Sequence, residues 1–386
     1  MKILFFIRSL EVGGSQRQLA MLAGGLAQRG HDVTVAVLYS GHAFEEPLAR
    51  AGVRIVALNK ASRWAVVGPL WRLWRLFLAA KADALYGFLP TQTTLAALLL
   101  PPWLATRLVF GVRSAAVELE KYDALSAWSY RLEAWLSRRA DLVIANAHAA
   151  RADAAARGMP ADRIAVIANG IDTVAMCPDA AAGRALRATW GIAPDAFVVG
   201  MVARLDPMKD FPGFIAAAVA FAQKNPDARF VVVGDGPPAY RRELAAMADA
   251  RGLGDRLVWA GEASELAPVY NAFDIATLPS AFGEGFPNVV GEAMACGIPV
   301  VATDVGDVRL VVGDCGEVVP PRQPDLLAEG WTRMRSRVRE NPDLRAEARA
   351  RILRQFDVNT MVDKTEQALS ALCAGRPAAA IAAQYV

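Results

Sequence analysis

The sequence predicts an α/β protein made of two doubly wound domains, and three observations lead there. Apolar, β-branched runs alternate with alanine-rich stretches of helical composition, the pattern of parallel strands covered on both faces by crossover helices. The alternation comes in two series with a pause between them, which calls for two sheets. The chain has 386 residues, 54% of them hydrophobic, enough for two sizeable cores.

Taken in order, the first series of candidate strands is KILFFI, HDVTVAVL, VRIVAL, DALYGF, RLVFGV, DLVIAN and RIAVIAN. The N-terminal MKILFFIRSL is read as a strand and not a signal peptide, because Arg8, Glu11 and Gly13-Gly14 follow too soon for an apolar leader core. The pattern pauses at CPDAAAG, Cys177 to Gly183, read as the linker. The second series is FVVGMVA, RFVVVGDG, RLVWAG, DIATLPS, PVVATDV and EVVP. The expected domains are therefore 1–178, 179–352, and a C-terminal helix and tail at 353–386 that returns to the N-terminal domain. In open α/β sheets ligands bind beyond the carboxyl ends of the strands, so chemistry is sought in the loops that follow them.

Composition excludes several classes. A formal net charge of +3 is far from the basic excess of a dedicated nucleic-acid binder. The four cysteines, Cys177, Cys296, Cys315 and Cys373, have neither metal-finger spacing nor a disulfide framework, which fits a reducing cytoplasm. The apolar run LAALLLPPWLA is broken by Pro101-Pro102 and is shorter than the roughly 20 residues of a membrane span. Residues 61–140 nevertheless combine ten Lys/Arg against five Asp/Glu with six of the nine tryptophans. Within them, residues 64–80 place Trp71, Arg72, Trp74, Arg75 and Leu78 at helical spacing. That pattern suits a helix lying at a lipid interface, on the inner face of the cell membrane, and equally a helix partly buried on its own sheet.

Three motifs carry chemistry. After the first strand, Gly13 and Gly14 open a helix near Ser15, where free N–H groups attract anions or hydroxyls, although the same glycines serve a plain turn. The segment VARLDPMKD puts Arg204 after a strand and Lys209 before a helix, two cations suited to a diphosphate. The stretch FGEGFPNVVGEAMACGIPVV holds Glu284 in a glycine-flanked loop and Glu292 about a turn inside a helix starting at Pro287-Asn288. Burying an unpaired carboxylate costs several kcal/mol, so both need partners. A carboxylate that accepts from vicinal hydroxyls holds a ribose or another sugar ring. Backbone N–H groups around Gly285, Phe286 and Asn288 add donors.

With those residues quoted, the chain resembles glycosyltransferase family 4, the group 1 glycosyltransferases, which are retaining enzymes of the GT-B fold. EGFPNVVGEAMACGIPVVATDVG resembles the family's E-x7-E signature, VARLDPMKD its arginine-lysine segment, Asn169-Gly-Ile-Asp172 its domain-junction turn and GGSQRQ its N-terminal glycine loop. The resemblance implies two Rossmann-like domains facing across a cleft. It also implies a nucleotide-diphosphate sugar donor on the C-terminal domain and a glycan or lipid-linked acceptor on the N-terminal one. By the same resemblance Glu292 holds the ribose, Arg204 and Lys209 the diphosphate, and Glu284 the transferred sugar. Same-face attack is then expected, with the leaving phosphate taking the proton. Arg204, Lys209 and Glu284 are the catalytic candidates.

Two departures accompany the resemblance. Where many members carry a histidine after the fifth N-terminal strand, this chain has FGVRSA with Arg113; and VGDVRL places Asp307 where paired glycines are common. Of the histidines, His31 and His42 read as turn and loop residues, and His148, at a strand end, is an acceptor-side candidate beside Arg113. The sequence contains no Asp-x-Asp, so no metal site and no cofactor are expected. An NAD-dependent dehydrogenase lacks its GxGxxG fingerprint here. A sugar-nucleotide epimerase of the same fold is the nearer alternative, and a carbohydrate-binding module has no use for diphosphate cations.

Overall fold

The computed structural model describes residues 1–60, 66–113, 115 and 124–385, without the side chains of 124–127. Contacts divide the chain into two units, Met1–Gly170 with Val358–Val386, and Ile171–Asp357. Each candidate strand of the sequence falls in an observed one.

In the first unit these are β1 (Lys2–Ile7), β2 (Asp32–Val37), β3 (Arg54–Ala57), β4 (Ala84–Phe88), β5 (Arg107–Val112), β6 (Leu142–Ala145) and β7 (Ile164–Val166). They form a parallel sheet in the order β3-β2-β1-β4-β5-β6-β7. In the second unit β8 (Phe197–Val202), β9 (Ala228–Val233), β10 (Leu257–Gly261), β11 (Ile275–Leu278), β12 (Val300–Thr303) and β13 (Glu317–Val319) pair, again parallel, in the order β10-β9-β8-β11-β12-β13. The strand order reverses between β1 and β4 and between β8 and β11. Those reversals are the switch points where a doubly wound sheet opens a crevice.

Each sheet has its own core. In the first, Phe5, Tyr86 and Phe88 pack together beneath the helix Gly14–Gln28. In the second, Trp331 is fully buried with Phe214, Phe221 and Phe230 around it, and its indole N–H finds the Thr277 hydroxyl at 3.3 Å. A buried indole needs such a partner.

The junctions differ from those expected. Sequence reading puts them at 178/179 and 352/353, whereas the contacts put them at 170/171 and 357/358. Residues 171–178 belong to the second unit because its C-terminal segment binds them. Ile171 N–H donates to Phe356 O at 2.8 Å, the Thr173 hydroxyl donates to Asp357 at 2.5 Å, and Arg349 reaches the carbonyls of Thr173 and Met176. The CPDAAAG pause is no linker either. Asp179 caps the helix Ala180–Thr189 by accepting from the N–H groups of Ala181 and Ala182, and Gly183 gives that helix its close approach to Asn271. The C-terminal helix Val358–Cys373 lies on Gly14–Gln28, Gly25 making room for Val362.

The helix foreseen within residues 64–80 runs Val67–Ala80, residues 61–65 lying outside the described ones. It buries Leu73 and Phe77 and leaves Trp71 54% and Trp74 38% exposed. Arg72 is turned inward, donating to the Leu58 and Asn59 carbonyls, whereas Arg75 covers the Trp71 ring. No helix among the described residues is long and apolar enough to cross a membrane.

Candidate active site

The strongest constellation sits at the β8/β11 switch point. After β8 the chain makes a short turn, Pro207–Lys209, capped by Asp206, which accepts from Met208 N–H. Asp210 then takes a left-handed conformation (φ 49°) and caps the helix Phe211–Lys224. The Met208 carbonyl accepts from Ala281 N–H at 2.8 Å, which ties this turn to the loop after β11. Lys209 is thereby delivered onto Glu284, Nζ to Oε1 at 2.5 Å, and the Ser280 hydroxyl donates to the same oxygen at 2.6 Å. The Glu284 residue is only 8% exposed. Its Oε2 makes no hydrogen bond among the described residues.

Glycines shape the loop around that carboxylate. Gly283 has φ 81° and Gly306 φ 63°, and a Cβ at Gly306 would overlap the carbonyls of Glu284 and Gly285. Asp307 N–H donates to Gly285 O at 3.1 Å, so the aspartate that departs from paired glycines still pins the glutamate loop through its backbone. Phe286 is buried, its ring tilted against Phe356 at 5.4 Å between centroids, which anchors the loop.

Glu292 lies in the helix Asn288–Ala295, which starts at Pro287 as foreseen. It is 6% exposed and accepts from the hydroxyl of the buried Tyr270 at 2.7 Å. Arg204 stands apart from Lys209 and Glu284: its side chain is 73% exposed and pairs with Asp206 at 2.6 Å. The structure thus brings Lys209 and Glu284 together and adds Ser280, Tyr270 and Asp206, which sequence reading missed. Ser280 and Asp206 follow strands β11 and β8, where the strand-end rule directs attention; Tyr270 precedes its strand and carried no signal.

The remaining candidates are in the other unit. Gly13, in extended conformation, precedes the helix that Gly14 opens, beyond the end of β1. His148 is the exposed first residue of the helix His148–Ala156. Arg113 directly follows β5, its guanidinium 3.9 Å from the Phe88 ring centroid. It donates to the Tyr86 hydroxyl at 2.8 Å and to Asn169 Oδ1 at 3.3 Å. Burial pushes the Arg113 pKa down and the Tyr86 phenol up, the contact between them opposing both shifts. Ser9 and Asn146, buried at the ends of β1 and β6, were not foreseen.

A sequence profile described as "Glycosyltransferase Family 4" matches residues 12–175, and one described as "Glycosyl transferases group 1" matches residues 196–336. The chain belongs to this glycosyltransferase family, and its fold is the two-domain α/β GT-B fold. It is similar to D-inositol 3-phosphate glycosyltransferases, 38% identical over 158 residues to that of Mycobacterium sp. (strain KMS) and 32% over 194 residues to that of Saccharomonospora viridis. Those matches take in 39% and 48% of this chain, and the chain covers only 34% and 44% of the relatives' length. Among solved structures, Anabaena HepE in complex with UDP is 26% identical with TM-score 0.82, covering 96% of this chain and 100% of that one; its complex with UDP-glucose is 25% identical with TM-score 0.83.

Proposed function

We propose that the protein moves a sugar from a nucleotide-diphosphate donor to an acceptor hydroxyl with retention of anomeric configuration. The observation that carries this reading is the switch-point cluster: Lys209 and Ser280 fix one oxygen of Glu284 and leave the other available to hydroxyls, with Glu292 buried in the helix beside it. HepE's complexes with UDP and UDP-glucose support a uridine-type donor, and the inositol phosphate transferases support transfer as the reaction. Glu292 holds the ribose, Lys209 and Arg204 the diphosphate, and Glu284 the transferred sugar. For that, Arg204 exchanges Asp206 for phosphate, and Lys209 bridges Glu284 and the leaving group. Well-placed donors at developing charge are worth a few kcal/mol each. The attacking hydroxyl gives its proton to the departing phosphate on the same face.

Because two cations serve the diphosphate, transfer proceeds without a divalent metal. The test is incubation with UDP-sugars and a panel of lipid-linked and soluble acceptors, the product's anomeric configuration being read by NMR. Retention, undiminished by EDTA, is expected; inversion, or activity that only Mg²⁺ or Mn²⁺ restores, contradicts the reading. Conversion of the donor alone, without acceptor, would instead favour the epimerase.

The acceptor in this reading is a lipid-linked glycan of cell-surface polysaccharide, reached by a cytoplasmic enzyme resting on the membrane. Exposed Trp71 and Trp74 with Arg75 on the helix Val67–Ala80 support it, and Trp103, Trp128 and Trp135 are exposed in the same unit. Tryptophan prefers the interface, and each arginine near an anionic leaflet adds about 1 kcal/mol.

A further inference from the structure

Arg113, a partly buried residue, has an incomplete set of partners among the described residues. Its two hydrogen bonds, to Tyr86 Oη and Asn169 Oδ1, engage two of the five N–H donors of a guanidinium. Both partners are neutral. Its Nε is buried and has no hydrogen-bond partner, and no carboxylate pairs with it among the described residues. Buried charges are ordinarily paired or hydrogen-bonded to saturation, because desolvation is otherwise uncompensated.

The surroundings share the deficit. Sheet order sets Ser9, Arg113 and Asn146 at the carboxyl ends of β1, β5 and β6, the edge where a doubly wound sheet binds its ligand. Ser9 Oγ and Asn146 Oδ1 are likewise buried and without hydrogen-bond partners among the described residues. The Asn146 amide touches the Arg113 carbonyl at 3.5 Å, so the two residues are neighbours. The ring of Phe88 holds the guanidinium plane from one side, which fixes its orientation without neutralising it.

We infer that Arg113 is the anchor of an oxyanion site at this sheet edge, taking a carboxylate or phosphate group carried by a substrate of the enzyme. A guanidinium suits either group because its N–H fork matches two oxygens at once. Ser9 and Asn146 bind the polar atoms beside that charge. Only the assignment of the anion to a donor or acceptor rests on the transferase reading; the site itself does not.

The experiment is an NMR titration of the wild-type chain, labelled at arginine, with the Arg113 Nε–H resonance assigned by its loss in Arg113→Lys. Three matched probes are added: methyl glucuronide for a carboxylate, glucose 6-phosphate for a phosphate, and methyl glucoside as the neutral control. The resonance is expected to move saturably with one anion and not with the neutral sugar. Movement with the glucuronide points to a uronic-acid group, and movement with the sugar phosphate to a phosphorylated substrate. No movement with either anion, or equal movement with methyl glucoside, overturns the inference. In Arg113→Gln, affinity for the better anion is expected to fall about tenfold or more, as for loss of a charged hydrogen bond, while UDP binding persists; unchanged anion affinity overturns it too. A wild type that binds the anion and ignores UDP would defeat the donor reading and leave this one standing.

Discussion

Lys209 and Ser280 converge on a single oxygen of Glu284, and that economy defines the residue scale of the site. Removing the serine hydroxyl leaves the ion pair in place, so Ser280→Ala is expected to cost about 0.5–1.5 kcal/mol of stability in urea unfolding and to preserve nucleotide binding. Tyr270→Phe removes a donor from a buried carboxylate oxygen and is expected to cost more, about 1–3 kcal/mol. If both variants unfold like the wild type, these hydrogen bonds do not organise the site as described. Glu284 and Glu292 stood out because carboxylates in an apolar, glycine-bearing stretch need partners, and the structure buries both against such partners, whereas Arg204 is exposed and apart from Lys209. Which partners the two glutamates have was not legible, since Tyr270 and Ser280 reach them through the fold and not through any spacing along the chain.

At the scale of elements, the strands were readable because a parallel sheet covered on both faces demands unbroken apolar runs. The linker was misplaced for a physical reason: CPDAAAG looks like a break, but an aspartate followed by alanines is also a capped helix start. Arg72 stayed open between two readings because helical spacing cannot tell a lipid-facing arginine from one that satisfies two carbonyls, and the structure gives it to the carbonyls of Leu58 and Asn59. The C-terminal helix Val358–Cys373 offers a pH test. Glu366 is held below the usual carboxylate range by hydrogen bonds from Arg29 first and His31 next. With a folded-state pKa below the unfolded one, its contribution is present above the unfolded pKa and is lost as pH falls through the folded value. Glu366→Gln is therefore expected to lower Tm at pH 7, with the gap to wild type closing in acid. A gap independent of pH would mean that the ionised carboxylate is not what holds the helix.

At the scale of the whole molecule, the proposed nucleotide-sugar site lies in one unit and the exposed tryptophans, with Arg75 over Trp71, lie in the other. The surface is tested by Trp71→Ala with Trp74→Ala and Arg75→Glu, which spare the structural Arg72. Wild type is expected to sediment with anionic vesicles at low salt and the triple variant to stay in solution. Wild type that ignores such vesicles removes the membrane assignment alone. The central claim is the division of labour between the two glutamates, and calorimetry with UDP tests it most directly. Glu292→Ala is expected to lose about 1–3 kcal/mol of UDP affinity, the value of charged hydrogen bonds to the ribose, and Glu284→Ala to bind UDP like the wild type. Equal losses in the two variants, or none in Glu292→Ala, would contradict the account.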